Sequence, residues 1–295
     1  MASRVLPIRP LPASRNLVLL AAGLLTLVFF GPVLKTALGL GLHDDRYLQI
    51  IVAPLACGLL LYVERAGIFS RAGASRTVAI PLLAASLLLA LPSALPLTVL
   101  SMVLLWMAVF VLCWGAQSFR AAIYPLSCLL LMVPPPAAWM DRVTLFLQQG
   151  SAATAFRILR LLGIPVFRHE MVFSLPGLDF EVGAECSGIH SSLALLMIAI
   201  VAGYLCLRSG WSRTALIVLT VPIALLKNAI RIVSITLLAT HVDRAFIDGP
   251  FHHRYGGVIF SAVAVALFVP LLAGLQKVER PAHTGVGEID GCRHL

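Results

Sequence analysis

Long apolar runs separated by brief polar punctuation make up most of this chain, and the length of each run decides what it can be. A helix rises about 1.5 Å per residue, so about 20 apolar residues cross the roughly 30 Å hydrocarbon core of a bilayer. Arg15 and Lys35 frame a first run, with its apolar stretch at Asn16–Leu34, and Arg46 and Glu64 frame a shorter second. From Thr77 to Phe119 there are 43 residues without Asp, Glu, Lys, Arg or His. As one helix they would extend about 65 Å, so Pro92 and Pro96 are expected to divide them into a third and a fourth span. A fifth is expected from Ala121 to Val133, stopped by Pro134-Pro135-Pro136. A sixth begins near Ser187 and ends at Leu207, a seventh runs from Thr214 past Arg231 toward Thr240, and an eighth covers Gly256 to Gln276. The pattern predicts an all-α polytopic membrane protein of about eight transmembrane helices.

The stretch from Pro134 to Glu185 is too long for a turn. Between Trp139 and Leu162, the residues Val143, Phe146, Leu147, Ala153, Phe156, Leu159 and Leu162 recur with a helical period, interrupted by Arg142, Gln148, Gln149, Arg157 and Arg160. That pattern fits an amphipathic helix lying in the membrane interface, and equally an ordinary helix packed on the bundle. After Gly163-Ile164-Pro165, two short apolar stretches, Met171–Leu175 and Leu178–Val182, flank Pro176-Gly177, and a small β-hairpin is expected there.

Composition agrees with the run lengths: 60% of the residues are hydrophobic and 12% charged, against about 25% charged in a typical soluble domain. No polar stretch is long enough for a separate soluble domain, so residues 1–280 are expected to form one membrane-embedded domain and 281–295 a disordered cytoplasmic tail. The net charge of +9 does not indicate a nucleic-acid partner, because the basic residues are spread between apolar runs and form no dense patch. They read instead as topology signals. With the N-terminus inside, the cytoplasmic segments hold Arg4, Arg9, Arg15, Arg65, Arg71, Arg76, Arg120, Arg208, Arg213, Lys277, Arg280 and Arg293. The acidic His43-Asp44-Asp45 loop and the segment with Asp243 and Asp248 then fall outside, both termini fall inside, and the 134–185 stretch is extracytoplasmic. Asn16–Leu34 lacks a small-residue cleavage site and is kept as a span, not a signal peptide. The six cysteines form no CxxC pair, so neither a disulfide framework nor a zinc knuckle is indicated.

Three polar positions do not fit a purely apolar bundle. Cys186 lies just before the sixth span, where a helix N-terminus and a nearby cation would favour the nucleophilic thiolate. Arg231 lies 17 residues beyond Thr214, about 25 Å along its helix and so near the level of Cys186. It could lower the thiol pKa and hold the oxyanion of a tetrahedral intermediate, or it could be a snorkelling anchor. Asn228 lies one turn below Arg231 on the same face, with Lys227 at the four-residue spacing. His252 and His253 precede the eighth span on the outer side. One of them could act as general acid and base, or the pair could sit solvated at the interface. His190 could share a face with Cys186 or line a cavity, Glu185 could orient Arg231 or cap the helix, and Ser187 reads as a cap.

The segments Glu185-Cys186-Ser187-Gly188-Ile189, Asn228-Ala229-Ile230-Arg231-Ile232, and His252 followed by Gly256 and Phe260 resemble the three signature blocks of the exosortase and archaeosortase family. The likeness extends through Pro134-Pro135-Pro136, Leu162-Gly163-Ile164-Pro165-Val166 and Phe180-Glu181-Val182, and covers roughly residues 95 to 275. The resemblance implies a polytopic thiol transpeptidase or protease acting at the outer face of the cytoplasmic (inner) membrane, with no cofactor. Its partners would be exported proteins with a C-terminal sorting signal of the PEP-CTERM type and a surface polysaccharide or lipid acceptor. The family's Cys, Arg and His would fall on Cys186, Arg231 and His252, with His253 as the alternate. Two positions depart from the pattern: His190 stands where members commonly show Arg, and the single His is here a doublet.

The residues leave two further readings open. One is a transporter or flippase whose Arg231 and His252 bind an anionic lipid-linked saccharide. The other is a metal site of Cys186, His252 and His253, although no HExxH or comparable spacing supports it.

Overall fold

The computed structural model of the chain describes residues 13–70, 76–91, 94–183, 187–243 and 256–279. The expected tail at 281–295 lies outside them. The chain divides into two compact units, Met1–Pro136 and Ala137–Leu295.

The first unit is entirely helical among the described residues: α1 (Ala13–His43), α2 (Gln49–Val63), α3 (Arg65–Phe69), α4 (Arg76–Ala90), α5 (Leu95–Ala121) and α6 (Ile123–Ser127). Short 3-10 turns occupy Asp45–Tyr47 and Cys128–Met132. The α1–α2 corner is tied by Arg46, whose guanidinium donates to both carboxylate oxygens of Asp44 at 2.7–3.0 Å. That bond is the chief reason the Asp44 carboxyl is held below its usual pKa range. On α4 and α5, Ser86 and Ser101 each donate a hydroxyl to the other's carbonyl at 2.8 Å. Phe69 of α3 packs on Phe110 and Trp114 of α5, at ring-centroid distances of 6.2 and 5.3 Å. Helix α5 is broken at Gly115, where φ is 83°.

The second unit contains α7 (Ala137–Leu161), a three-stranded antiparallel sheet of β1 (Phe167–His169), β2 (Val172–Leu175) and β3 (Leu178–Glu181), and then α8 (Ile189–Cys206), α9 (Gly210–His241) and α10 (Gly256–Glu279). The hairpin expected around Pro176-Gly177 is present, with Leu175 paired to Leu178 and Phe173 to Phe180. The sheet has one strand more than expected. β1, with Arg168 and His169 beside the exposed Phe167, lacks the apolar alternation that marks a strand.

Phe173 is fully buried and stacks on Phe180 at 5.3 Å. It lies in a core shared with Ala152, Ala155 and Leu159 of α7 and with Ala229, Ile232 and Val233 of α9. Helix α7 therefore packs its apolar stripe on α9. Gly150 permits the close approach, since a Cβ there would lie 2.8 Å from a Leu225 methyl.

Among the described residues, six helices are long and apolar enough to cross a membrane: Leu17–His43, Asp45–Val63, Leu95–Ala121, Ile189–Cys206, Gly210–His241 and Ile259–Glu279. A seventh appears only if Ile123–Met132 and Ala137–Leu161 are taken together as one broken span. Two of the eight expected spans account for the difference. The third is the short helix Thr77–Ala90, about 21 Å long. The fifth is cut into α6 and a 3-10 turn, with Pro125 inside the run, where a missing amide donor weakens the helix.

Cys57, Cys113 and Cys128 are free and buried.

Candidate active site

Helices α8 and α9 form a hairpin whose turn, Leu207–Ser209, is pinned from outside. The Glu279 carboxylate accepts the backbone N–H groups of Arg208 and Ser209, each at 2.8 Å. This satisfies donors at the start of α9, where an anion is also favoured by the helix dipole. Arg213 closes the turn from within, donating to the Leu207 carbonyl at 2.9 Å. In such a hairpin, residues equally far from the turn meet at its open end. Gly188 lies 20 residues before Arg208 and Asn228 lies 20 after it, and these two residues are in contact.

Gly188 has φ +67°, the left-handed region that glycine tolerates. The position is also tight: a Cβ would come within 3.0 Å of Asn228 Oδ1 and 3.4 Å of Lys227 Nζ. Its carbonyl accepts the Ser192 amide at 2.9 Å and the hydroxyls of Ser191 and Ser192 at 3.0 and 2.8 Å. Ser187 is buried, and its Oγ accepts the Ile189 amide at 3.3 Å, but the N-cap expected of it is taken by Gly188.

On α9, Asn228 is 1% exposed and Lys227 is 4% exposed. Lys227 Nζ donates to Ser191 Oγ at 2.5 Å. Arg231 lies one turn further along and is half-buried, with its Nε closed off from solvent. Lys227 and Arg231 are close enough for their charges to act on each other. A polar patch thus gathers around the turn that follows Cys186. It comprises Ser187, Gly188 and Ser191 from the α8 side and Lys227 and Asn228 from α9, with Arg231 one turn beyond.

The segment entering that turn is held as well. Gln148 of α7 donates its amide to the Val182 carbonyl at 2.5 Å, and the Val182 amide returns to the Met171 carbonyl at 2.9 Å. The chain on both sides of residues 184–186 is therefore fastened, upstream by α7 and the sheet and downstream by α9.

Among the expected site residues, Asn228 is brought to this turn, and Arg231 lies one helical turn further along α9. His190 is exposed on the first turn of α8, so its ring is not enclosed with Asn228. Cys186, Glu185, His252 and His253 lie outside the described residues. Among the described residues, no group of three His, Cys, Asp or Glu side chains could hold a metal ion.

Sequence reasoning missed Ser191 and Gln148. Ser191 sits 36 residues from Lys227, a separation that only the hairpin register makes legible. Gln148 read as a polar interruption in an amphipathic stripe, and nothing in its own spacing marked the carbonyl it serves.

The family model for transmembrane exosortase (Exosortase_EpsH) matches residues 41–269. The chain belongs to the transmembrane exosortase family. The match covers all of α8 and α9 and the fastened turn between the sheet and α8. No curated protein and no solved structure matches the chain. With six or seven candidate spans, this exosortase-family chain is a multi-pass membrane protein.

Proposed function

We propose that the chain is a thiol transpeptidase or protease that cleaves the C-terminal sorting signal of exported proteins at the outer face of the cytoplasmic membrane. Signals of the PEP-CTERM type are the substrate class that family likeness favours. The single observation that carries this reading is the buried polar patch on the Gly188 turn, where Lys227 and Asn228, one turn from Arg231, lie against the backbone two residues beyond Cys186. Apolar packing does not account for a buried lysine and a half-buried arginine one turn apart in a membrane-spanning helix, whereas an anion formed during reaction does.

In the proposed reaction, His252 takes the Cys186 proton and the thiolate attacks the scissile carbonyl. A carbon–sulfur bond forms, the carbonyl electrons move to oxygen, and Arg231 holds that oxyanion. Collapse breaks the carbon–nitrogen bond, and His252 returns the proton to the leaving amine. The thioester left on Cys186 is released to an amine or hydroxyl on a surface polysaccharide or lipid, giving transfer, or to water, giving proteolysis. His253 is the alternate acid and base, and Glu185 is suited to orient either imidazole or Arg231. The charge distribution supports an arrangement with both termini inside and the site outside.

Replacement of Cys186 by Ala is expected to stop processing of a co-expressed protein bearing a C-terminal motif, helix and basic tail, so that the uncleaved precursor accumulates on an immunoblot. Continued processing by that variant sinks the proposal. The same enclosed cations also suit a transporter for an anionic lipid-linked saccharide. That reading predicts function kept in Cys186→Ser and lost in Arg231→Ala, whereas the thiol mechanism loses function in both.

A further inference from the structure

The end of α7 and the strand that follows it form an apolar tip to which the proposed reaction gives no task. Leu161, Leu162 and Phe167 are 86%, 58% and 78% exposed, three large apolar side chains in a stretch of seven residues. The helix end itself holds them out. The Gly163 amide donates to the Arg160 carbonyl and the Ile164 amide to the Leu159 carbonyl, each at 3.1 Å, with Gly163 at φ +76°. This pattern closes a helix on a left-handed glycine and folds the next residue back onto it. Ile164 accordingly packs on the core that holds Leu159, Val166 is buried with it, and Leu161, Leu162 and Phe167 stay outside.

The tip has a definite height. Gly150 meets Leu225, which is about 22 Å from the start of α9 at Gly210. Leu161 lies 11 residues beyond Gly150, so it stands about 39 Å from the α8–α9 turn. Helix α10 ends at a similar level, since Gly256 is about 35 Å from Glu279, which is bonded to that turn. A bilayer has a hydrocarbon core of roughly 30 Å within a total of about 40–45 Å, which places the tip in a headgroup layer. The charges at that height are positive. Arg157, Arg160 and Leu161 stand at i, i+3 and i+4 and share one face, and both arginines are exposed. The Arg160 guanidinium lies over the Phe156 ring, and no carboxylate among the described residues pairs with either arginine. The exposed carboxylates of the sheet are farther off. Glu170 follows the far end of β1, and Asp179 and Glu181 lie two strands away on β3, each about 10 Å or more from Phe167.

We infer that this tip docks on the membrane surface. Leu161, Leu162 and Phe167 enter the headgroup layer at the open end of the α8–α9 hairpin, and Arg157 and Arg160 bind the phosphates of anionic phospholipids. A leaflet is present at that depth all round the protein, and its anionic headgroups supply the counter-charge that both arginines lack. The contact anchors the end of α7 and the β1 edge of the sheet, and Cys186 has no part in it.

The test uses the full-length protein in nanodiscs of phosphatidylcholine mixed with phosphatidylglycerol, with Phe167 replaced by the photocrosslinker p-benzoylphenylalanine. Illumination and mass spectrometry are expected to show phospholipid adducts in which phosphatidylglycerol exceeds its bulk share about fivefold or more. Arg157→Gln combined with Arg160→Gln is expected to return the adducts to the bulk composition. The inference is overturned by an absence of lipid adducts, by crosslinking to a second copy of the chain instead, or by enrichment that survives loss of both arginines. A second measurement leaves Phe167 in place: native mass spectrometry of the detergent-purified chain titrated with phosphatidylglycerol. The double arginine variant is expected to bind it about tenfold more weakly than the wild type, and equal binding overturns the inference. Displacement of phosphatidylglycerol by an equal concentration of inorganic phosphate would mark a free-anion site and overturn it as well.

Discussion

The two compact units use buried polar groups in opposite ways. In residues 1–136 the buried polar contact between helices is a pair of serines, neutral and reciprocal, each hydroxyl meeting the other's backbone carbonyl. It satisfies itself and leaves no charge. In residues 137–295 the buried polar groups include a lysine and an asparagine that lie against a single glycine turn, with an arginine one helical turn away. Small neutral pairs are the inexpensive means of fastening helices where no water competes. A lysine and an arginine on one membrane-spanning helix cost far more than such a pair and contribute less to cohesion, and under the proposed function they serve the chemistry at the turn.

The largest effect that would break this contrast is expected at Gly188. Alanine there must adopt φ near +67°, at a cost of roughly 1–2 kcal/mol, and its Cβ must displace Asn228 from 3.0 Å. A displacement of about 1 Å at a reacting centre can cost on the order of a hundredfold in rate. Gly188→Ala is therefore expected to lose most processing while still inserting and folding, as read by precursor accumulation and by thermal unfolding in detergent.

A smaller effect sharpens the contrast from the other side. Replacing Ser86 and Ser101 singly and together by Ala should give a coupling energy of about 0.6 kcal/mol and no more than about 1.7 kcal/mol in a double-mutant cycle. Processing should stay at the wild-type rate. A large loss of processing in the double variant would show that the first unit's polar contacts are not merely fastenings.

The smallest effect belongs to the α1–α2 corner. The Arg46 guanidinium lowers the Asp44 pKa in the folded protein. Its contribution is therefore fully present above the unfolded value, near 4, and is lost as pH falls through the lower folded value. Because the pair is only partly buried and stays open to solvent screening, that contribution should be under about 1 kcal/mol. Asp44→Asn should flatten the acid limb of unfolding midpoint against pH and leave the neutral limb almost unchanged.

Much of this was legible along the chain. Charge-free runs gave six span-length helices, and Pro176-Gly177 between apolar stretches gave the β2–β3 turn. The two spans that failed did so for lack of length. Ala90 is followed at once by Leu91-Pro92, and Pro125 lies inside the run that Pro134 closes. Absence of charge marks what tolerates lipid, whereas spanning also requires an unbroken hydrogen-bonded helix of about 20 residues. β1 was hidden because an edge strand with one buried neighbour need not alternate.

Residue types and their order thus set the helices, the hairpin turn near Arg208 and, by equal counting from that turn, the meeting of Gly188 with Asn228. Only the tertiary structure decided where the long side chains went. Lys227 could have run to the interface, and Gln148 could have faced water. A flexible polar side chain goes where packing leaves it a partner, and Ser191 and the Val182 carbonyl became partners only once α7, α8 and α9 had closed around the turn.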